Sequence, residues 1–262
     1  MTAIMAAPTA RGREFEFTLP IGYTDSDGHL HQTVVMRKMT GKEEAILTDK
    51  RFQRNGGKLV TELLHSCVQK LGDLSSNSRN IMSDLYSVDR NYMLLKLRSI
   101  TFGAELKTTY TCPSCGQAIH LLEDLDELPL NHLEIGSQED IVVDLQDGYL
   151  DRDGQVHTAL TLRLPRGCDE EAVASQMRQN PSLGKNALLA RCIRSLGDMP
   201  AHRLEAIGAL LLADLTLSDR RAIDQALTEA APGVNLTREI ECPHCGHEFK
   251  ATMDLSNFLA LD

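Results

Sequence analysis

The sequence predicts an α+β fold built from a module that occurs twice, and three observations carry that expectation. Stretches of alternating apolar and polar residues are interleaved with segments of helical periodicity. Residues of one half recur, in order, in the other. Each half also ends in the same Cys-Pro-x-Cys-Gly string, at residues 112–116 and 242–246. In a first block Gly22, Tyr23, Asp25, Asp27, Gly28, His31, Arg37, Gly41 and Glu44 return as Gly148, Tyr149, Asp151, Asp153, Gly154, His157, Arg163, Gly167 and Glu170, a constant spacing of 126. A second block sets Leu63, Leu64, Cys67, Leu71, Gly72 and Asp73 against Leu188, Leu189, Cys192, Leu196, Gly197 and Asp198 at a spacing of 125. The third, at a spacing of 130, includes Asp89-Arg90 with Asp219-Arg220, the cysteines, and Asp124-Leu125 with Asp254-Leu255. The repeats are residues 13–130 and 135–262, preceded by a flexible arm at residues 1–12.

Each half reads as strand, strand, helix, helix, strand, strand. Residues 15–19 alternate Phe, Glu, Phe, Thr, Leu like a half-buried strand, and Asp27-Gly28 turns the chain into a second strand at 32–36. Asp153-Gly154 does the same in the second half. Residues 57–71 place Leu59, Leu63, Cys67 and Leu71 at helical spacing, as Leu188, Cys192 and Leu196 are placed later. Both Leu-Gly-Asp endings put glycine where such a helix stops. Ser87 and Ser218 are predicted to cap the next helix, with Asp89 and Asp219 in its first turn, where the partial positive charge favours a carboxylate. Gly103 and Pro232-Gly233 close it. Within residues 88–100, Tyr92, Met93, Leu94, Leu95, Leu97 and Ile100 span more than the single stripe one core face needs. That helix either docks a partner or is covered on two sides by its own chain. Each cysteine knuckle sits between short strands, 107–111 with 118–122 and 237–241 with 248–252.

At 262 residues the chain is long enough for two ordinary domains, and its 42% apolar and 24% charged content is that of a globular protein. No apolar run approaches the roughly 18 residues a membrane helix needs, and no apolar stretch near the start marks the chain for secretion. With 37 acidic against 27 basic residues, the net charge of −10 opposes binding to nucleic acid or anionic lipid. Seven cysteines, an odd number, argue for a metal site over a disulfide framework.

The knuckles are the strongest chemical signal. A CxxC hairpin aims two thiolates at one ion, and the glycine after the second cysteine lets the backbone curl around it. Structural zinc takes four ligands, so the expectation is one Zn2+ per chain shared by Cys112, Cys115, Cys242 and Cys245 across a pseudo-twofold axis, as in a zinc ribbon. A redox-active CxxC is the rival reading, but such motifs open a helix after a strand, and these lie between strands. His120, His244 and His247 are read as surface residues, Cys67 and Cys192 as small core residues, and Cys168 receives no role.

Other chemistry is weaker. The Asp25-Ser-Asp27-Gly28 and Asp151-Arg-Asp153-Gly154 stretches begin like calcium loops but lack the later ligands, so they are read as turns. Glu123-Asp124-Leu125-Asp126-Glu127 is read as a solvated acidic strand end, since Met253-Asp254-Leu255-Ser256-Asn257 keeps only one carboxylate. His31 and His157 have no matched nucleophile nearby and are assigned to packing or turn stabilisation. No glycine-rich phosphate loop, HExxH or GxSxG is present, and no enzyme is expected.

The first repeat, with Leu19-Pro20, the string from Met36 to Glu44, Asp89-Arg90 followed by Leu94-Leu95, Leu97-Arg98 and Gly103, and the first knuckle, resembles the baseplate hub assembly chaperone family of T-even-type contractile-tailed phages. Relatives of that family occur in contractile injection systems. The second repeat keeps Asp219-Arg220, Gly233 and the cysteines but departs in the helix between them. The resemblance implies a noncatalytic structural component or assembly factor, acting in the cytoplasm during assembly or within the particle. Its partners would be hub, tape-measure or neighbouring baseplate proteins. The alternative is a zinc-ribbon protein that binds nucleic acid or the transcription machinery; it would need a basic stripe and stacking aromatics, against 4% aromatics and no Trp here.

Overall fold

The amino-terminal alternation extends into a long strand, β1 (Glu14–Thr24), which turns at Gly28 into β2 (Leu30–Arg37). The computed structural model describes residues 14–74, 77–131 and 140–253, so the arm at residues 1–12 and the stretch from Asp254 to Asn257 lie outside it. After β2 come α1 (Gly41–Thr48), α2 (Gly56–Cys67), β3 (Val68–Leu71), α3 (Arg79–Asp84) and α4 (Ser87–Phe102). The first knuckle follows between β4 (Glu105–Thr111) and β5 (Ala118–Asp124), and β6 (Leu130–Asn131) ends this half. The second half runs β7 (Ile141–Leu150), β8 (Val156–Leu162), α5 (Gly167–Gln179), α6 (Pro181–Cys192) and β9 (Ile193–Leu196). It continues with α7 (Ala201–Ile207), α8 (Ala209–Asp214), α9 (Leu217–Ala230), β10 (Gly233–Val234), β11 (Thr237–Glu241) and β12 (Glu248–Thr252). The mixture of helix and strand is that of an α+β protein. The sheets are β1-β2-β3 and β7-β8-β9, with the two-stranded β4-β5, β11-β12 and β10-β6, and every pairing is antiparallel.

The two three-stranded sheets match in register. Tyr23 pairs His31 and Val34 pairs Leu71; Tyr149 pairs His157 and Leu160 pairs Leu196. Both first strands carry a bulge, between Thr18 and Tyr23 and between Asp144 and Tyr149. A bulge leaves backbone N–H groups without strand partners, and a buried carboxylate from the next long helix takes them up. Asp89 accepts from the amides of Ile21 and Gly22 at 2.9 and 2.8 Å, and Asp219 from those of Gln146 and Gly148 at 2.6 and 2.9 Å. Gly22 and Gly148 sit at φ of +98° and +72°, where a side chain would be strained. Burial raises the Asp89 carboxyl to about 6, against the downward pull of the two amides.

Asp89 and Asp219 lie in the first helical turns, as expected, but the predicted caps are displaced. The position before α4 is Tyr86, with Ser87 already inside the helix, and α9 is capped by Thr216, whose hydroxyl accepts from the Asp219 amide. The predicted helix through Leu71 also stops early. It ends at Cys67, and Val68–Leu71 pairs with the free edge of β2, as Ile193–Leu196 pairs with β8. Burial of Leu71 is satisfied either way; the strand wins because it also supplies partners for the edge of β2. Gly72 and Gly197 then turn the chain beside the rings of His31 and His157. Both DxDG stretches are turns. Asp25 Oδ1 accepts from the amides of Asp27 and His29 while Oδ2 meets His31 Nε2 at 3.0 Å, and Asp151 repeats the pattern with His157 at 3.2 Å.

Arg37 grips the buried Glu43 through two bonds of 2.7 and 3.1 Å, and Arg163 holds Asp169 at 2.7 and 3.0 Å. Burial works against ionisation of Glu43, but Arg37, Ser66 and the Thr40 amide overcome it and bring its pKa from 4.5 to about 2. A folded-state pKa below the unfolded one stabilises at pH above 4.5 and loses that contribution as the pH falls toward 2. Glu43→Gln should therefore be less stable at neutral pH yet decline less steeply across that acid window in urea melts. An unchanged slope would place the acid sensitivity elsewhere.

One apolar cluster includes Leu19, Val34, Met36, Leu63, Leu64, Cys67, Met93 and Leu97; another includes Val143, Leu160, Leu162, Leu189, Cys192, Leu212 and Ile223. Fully burying each such leucine contributes about 1.5–3 kcal/mol. Cys67 and Cys192 are wholly buried here, and burial pushes both thiols up to about 12. Helix α4 is covered on two sides by its own chain. Met93, Leu94 and Leu97 join the first cluster, and Leu95 joins Leu125 and Met253. It is therefore not an open docking face. The halves also meet through α5, whose first turns lie on α2 and α3: Glu171 Oε1 accepts from Thr61 and Ser83, and the Asn55 side-chain amide donates to the Glu171 carbonyl.

Candidate metal centre

Both knuckles form the same tight loop. Gly116 donates to the Cys112 carbonyl at 2.9 Å and Gly246 to the Cys242 carbonyl at 2.8 Å; the glycines take φ of +72° and +69°, a conformation glycine adopts at no steric cost. The amides of Cys112 and Cys242 reach the carbonyls of Gln117 and His247, closing each hairpin. Ladders from Glu105↔Asp124 to Thr111↔Ala118 and from Thr237↔Thr252 to Glu241↔Glu248 support them.

The two hairpins bring the four cysteines together, although 127 to 133 residues separate the partners in sequence. Cys112 Sγ lies 3.7 Å from Cys245 Sγ, and Cys115 Sγ lies 3.7 Å from Cys242 Sγ; all four sulfurs fall within 4.8 Å of one another. The first cysteine of each knuckle faces the second of the other, the reciprocity of a twofold arrangement. Four thiolates about 2.3 Å from a tetrahedral zinc would stand about 3.8 Å apart, so the donor set fits that ion. Cys112 and Cys242 are buried with Tyr110, Ile119 and Ile240, while Cys115 and Cys245 are exposed.

Burial raises the Cys112 thiol, but the amides of Cys115 and Ser114 and its neighbouring thiols outweigh it and bring it down to about 6. At Cys115 the Gln117 amide favours the thiolate, yet burial and three adjacent thiols push it up to about 12. Cys112 is thus held toward the thiolate and Cys115 toward the thiol, and a cation at the cluster would favour the thiolate at both.

A polar strut ties the hairpins behind the sulfurs. Glu123 on β5 receives the Tyr110 hydroxyl at 3.0 Å and pairs with Arg238 of β11 at 3.1 Å. The acidic stretch is thus not simply solvated: Asp126 also accepts from Lys96 and Ser99 of α4 at 2.6 and 2.9 Å. Sequence alone missed this role because the acceptors' partners are distant in the chain. His120 bonds Thr109, His247 stacks on Phe249, and neither these nor His244 belongs to the sulfur cluster. In a second group, Asp25, Asp27 and His29, the last two are exposed, and the half-buried Asp25 is already engaged by its turn and by His31.

The α+β body thus carries paired hairpins that end in a four-cysteine cluster able to hold a metal ion. A family profile described as T4 bacteriophage base plate protein matches residues 13–260. The chain belongs to that family of phage baseplate proteins. No curated protein and no solved structure matches it. Among the described residues no helix is long and apolar enough to cross a membrane.

Proposed function

We propose that the chain is a noncatalytic structural component or assembly factor of a contractile tail baseplate, of the assembly-chaperone type, acting in the cytoplasm while tails are built. It is an internally duplicated scaffold, with repeats at residues 13–130 and 135–262 and one structural zinc held by Cys112, Cys115, Cys242 and Cys245. The family match over residues 13–260 carries the reading. The meeting of four thiols from distant hairpins supports the zinc. The ion would fix how the hairpins dock and leave the helical bodies to contact hub, tape-measure or baseplate partners.

Two measurements test this. Metal analysis of the purified chain should give one zinc; two would mean that each knuckle binds its own. Capture of the tagged chain from cells assembling tails should recover baseplate proteins in a complex that survives nuclease. Recovery of nucleic acid alone, lost on nuclease treatment, would sink the assembly reading.

A further inference from the structure

The contact between the halves uses different parts of each. The chain entering α5 lies across the α3–α4 junction as an antiparallel bridge, Ser87 N–H donating to the Pro165 carbonyl at 2.9 Å and Gly167 N–H to the Leu85 carbonyl at 3.0 Å. Beneath it is Arg90, 1% exposed, which donates to Thr61, to the Met82 carbonyl and to the Gly57 carbonyl, with Glu170 at 3.7 Å. Gly167 leaves room for this guanidinium: a Cβ there would lie 2.3 Å from Arg90 Nη1.

The chain carries a second set of these parts and does not join them. Gly41 and Glu44 stand in the first repeat where Gly167 and Glu170 stand in the second, yet a Cβ on Gly41 would meet none of the described residues within 4 Å. Glu44 is exposed and makes no ion pair among the described residues. On the receiving side, Leu215, Leu217 and Arg220 replace Leu85, Ser87 and Arg90. Arg220 keeps the matching bond, to the Leu212 carbonyl at 3.2 Å. But Leu217 is 76% exposed where Ser87 is 7%, and the Leu215 carbonyl and Leu217 N–H have no backbone partner among the described residues. Asn186, in the place of Thr61, is 3% exposed, and its buried Oδ1 has no hydrogen-bond partner among the described residues.

We propose that these two unused surfaces join between copies: residues 39–45 of one chain dock on the α8–α9 junction of the next. The Gly41 amide would meet the Leu215 carbonyl, Glu44 would face Arg220, and Arg220 would turn to the orphaned Asn186 oxygen. The occupant is a second copy because the contact inside the chain is the template for the backbone bridge and the Glu–Arg pair, down to a glycine that no contact among the described residues requires, although its Arg166 and Glu171 become Thr40 and Ala45. The joined surfaces differ, so the contact is heterologous and propagates into a ring or a row.

Sedimentation equilibrium on the full chain tests this. Association should set in at about 10–100 μM, as for a small interface, and weaken at least tenfold in Gly41→Leu and in Leu217→Asp. The melting temperature of Gly41→Leu should equal that of the parent, and Leu150→Asp, a residue 63% exposed on β7, should associate normally. Glu44→Arg and Arg220→Glu should each associate weakly and recover when mixed. A chain monomeric to about 1 mM, or association indifferent to both Gly41→Leu and Leu217→Asp, would overturn the proposal.

Discussion

Cys115→Ser should weaken binding of the proposed zinc by orders of magnitude, and remove several kcal/mol of stability with it. One thiolate lost from four leaves Cys112, Cys242 and Cys245, three ligands of an incomplete tetrahedron. Structural zinc supplies about 10–16 kcal/mol in isolated peptides. The net loss here should be smaller, because the two apolar clusters around α2 and α6 do not depend on the hairpins. Metal content and calorimetry check the global effect. Hydrogen exchange should show both β4–β5 and β11–β12 losing protection, although only one carries the substitution. A variant that binds zinc as tightly as the parent would sink the four-thiol site. Cys192→Ala is the control: it removes a buried sulfur from the second core, costs about 1–2 kcal/mol, and leaves the metal in place.

Arg90→Met should cost about 3–5 kcal/mol, the other large effect. The guanidinium is buried, and its loss strands the carbonyls of Met82 and Gly57 and leaves Glu170 facing no cation. Burial lowers the Arg90 pKa, while Glu170 and Glu171 hold it charged. Its repeat counterpart makes a sharp comparison. Arg220 is half-exposed and among the described residues its side chain hydrogen-bonds the Leu212 carbonyl, so Arg220→Met should cost about 1 kcal/mol or less in the monomer. Urea melts of the two variants measure the difference directly. Equal losses would mean that the contact with α5 contributes little to the folded state.

Local chemistry made much of this fold readable. The alternation of Phe15 and Phe17, the turn glycines and the CPxCG strings act within a few residues, and the knuckle strands fall close to where those signals put them. Long-range partners were not readable. Leu71 and Leu196 follow Cys67 and Cys192 at helical spacing, so nothing nearby separates a last helical turn from a strand that finds β2 or β8 in space. Asp89 looked like a first-turn carboxylate and is one, but its amide partners lie 67 and 68 residues away. The sulfur cluster was legible because the number of ligands that zinc requires supplied the missing distance information. The repeat pattern, in turn, concealed an asymmetry: Gly41 and Gly167 match, yet only Gly167 has an arginine packed against it.

Cys115 and Cys242 stand 127 residues apart and meet at one cluster, so a bound ion would act as a clasp on a lasso. Everything between them, including the whole body of the second half, becomes a closed loop. By analogy with a covalent crosslink of that span, the closure withholds about 4–5 kcal/mol of chain entropy from the unfolded state. A single protease cut in the loop would then leave two chain pieces still joined at the clasp, in addition to the contact through α5.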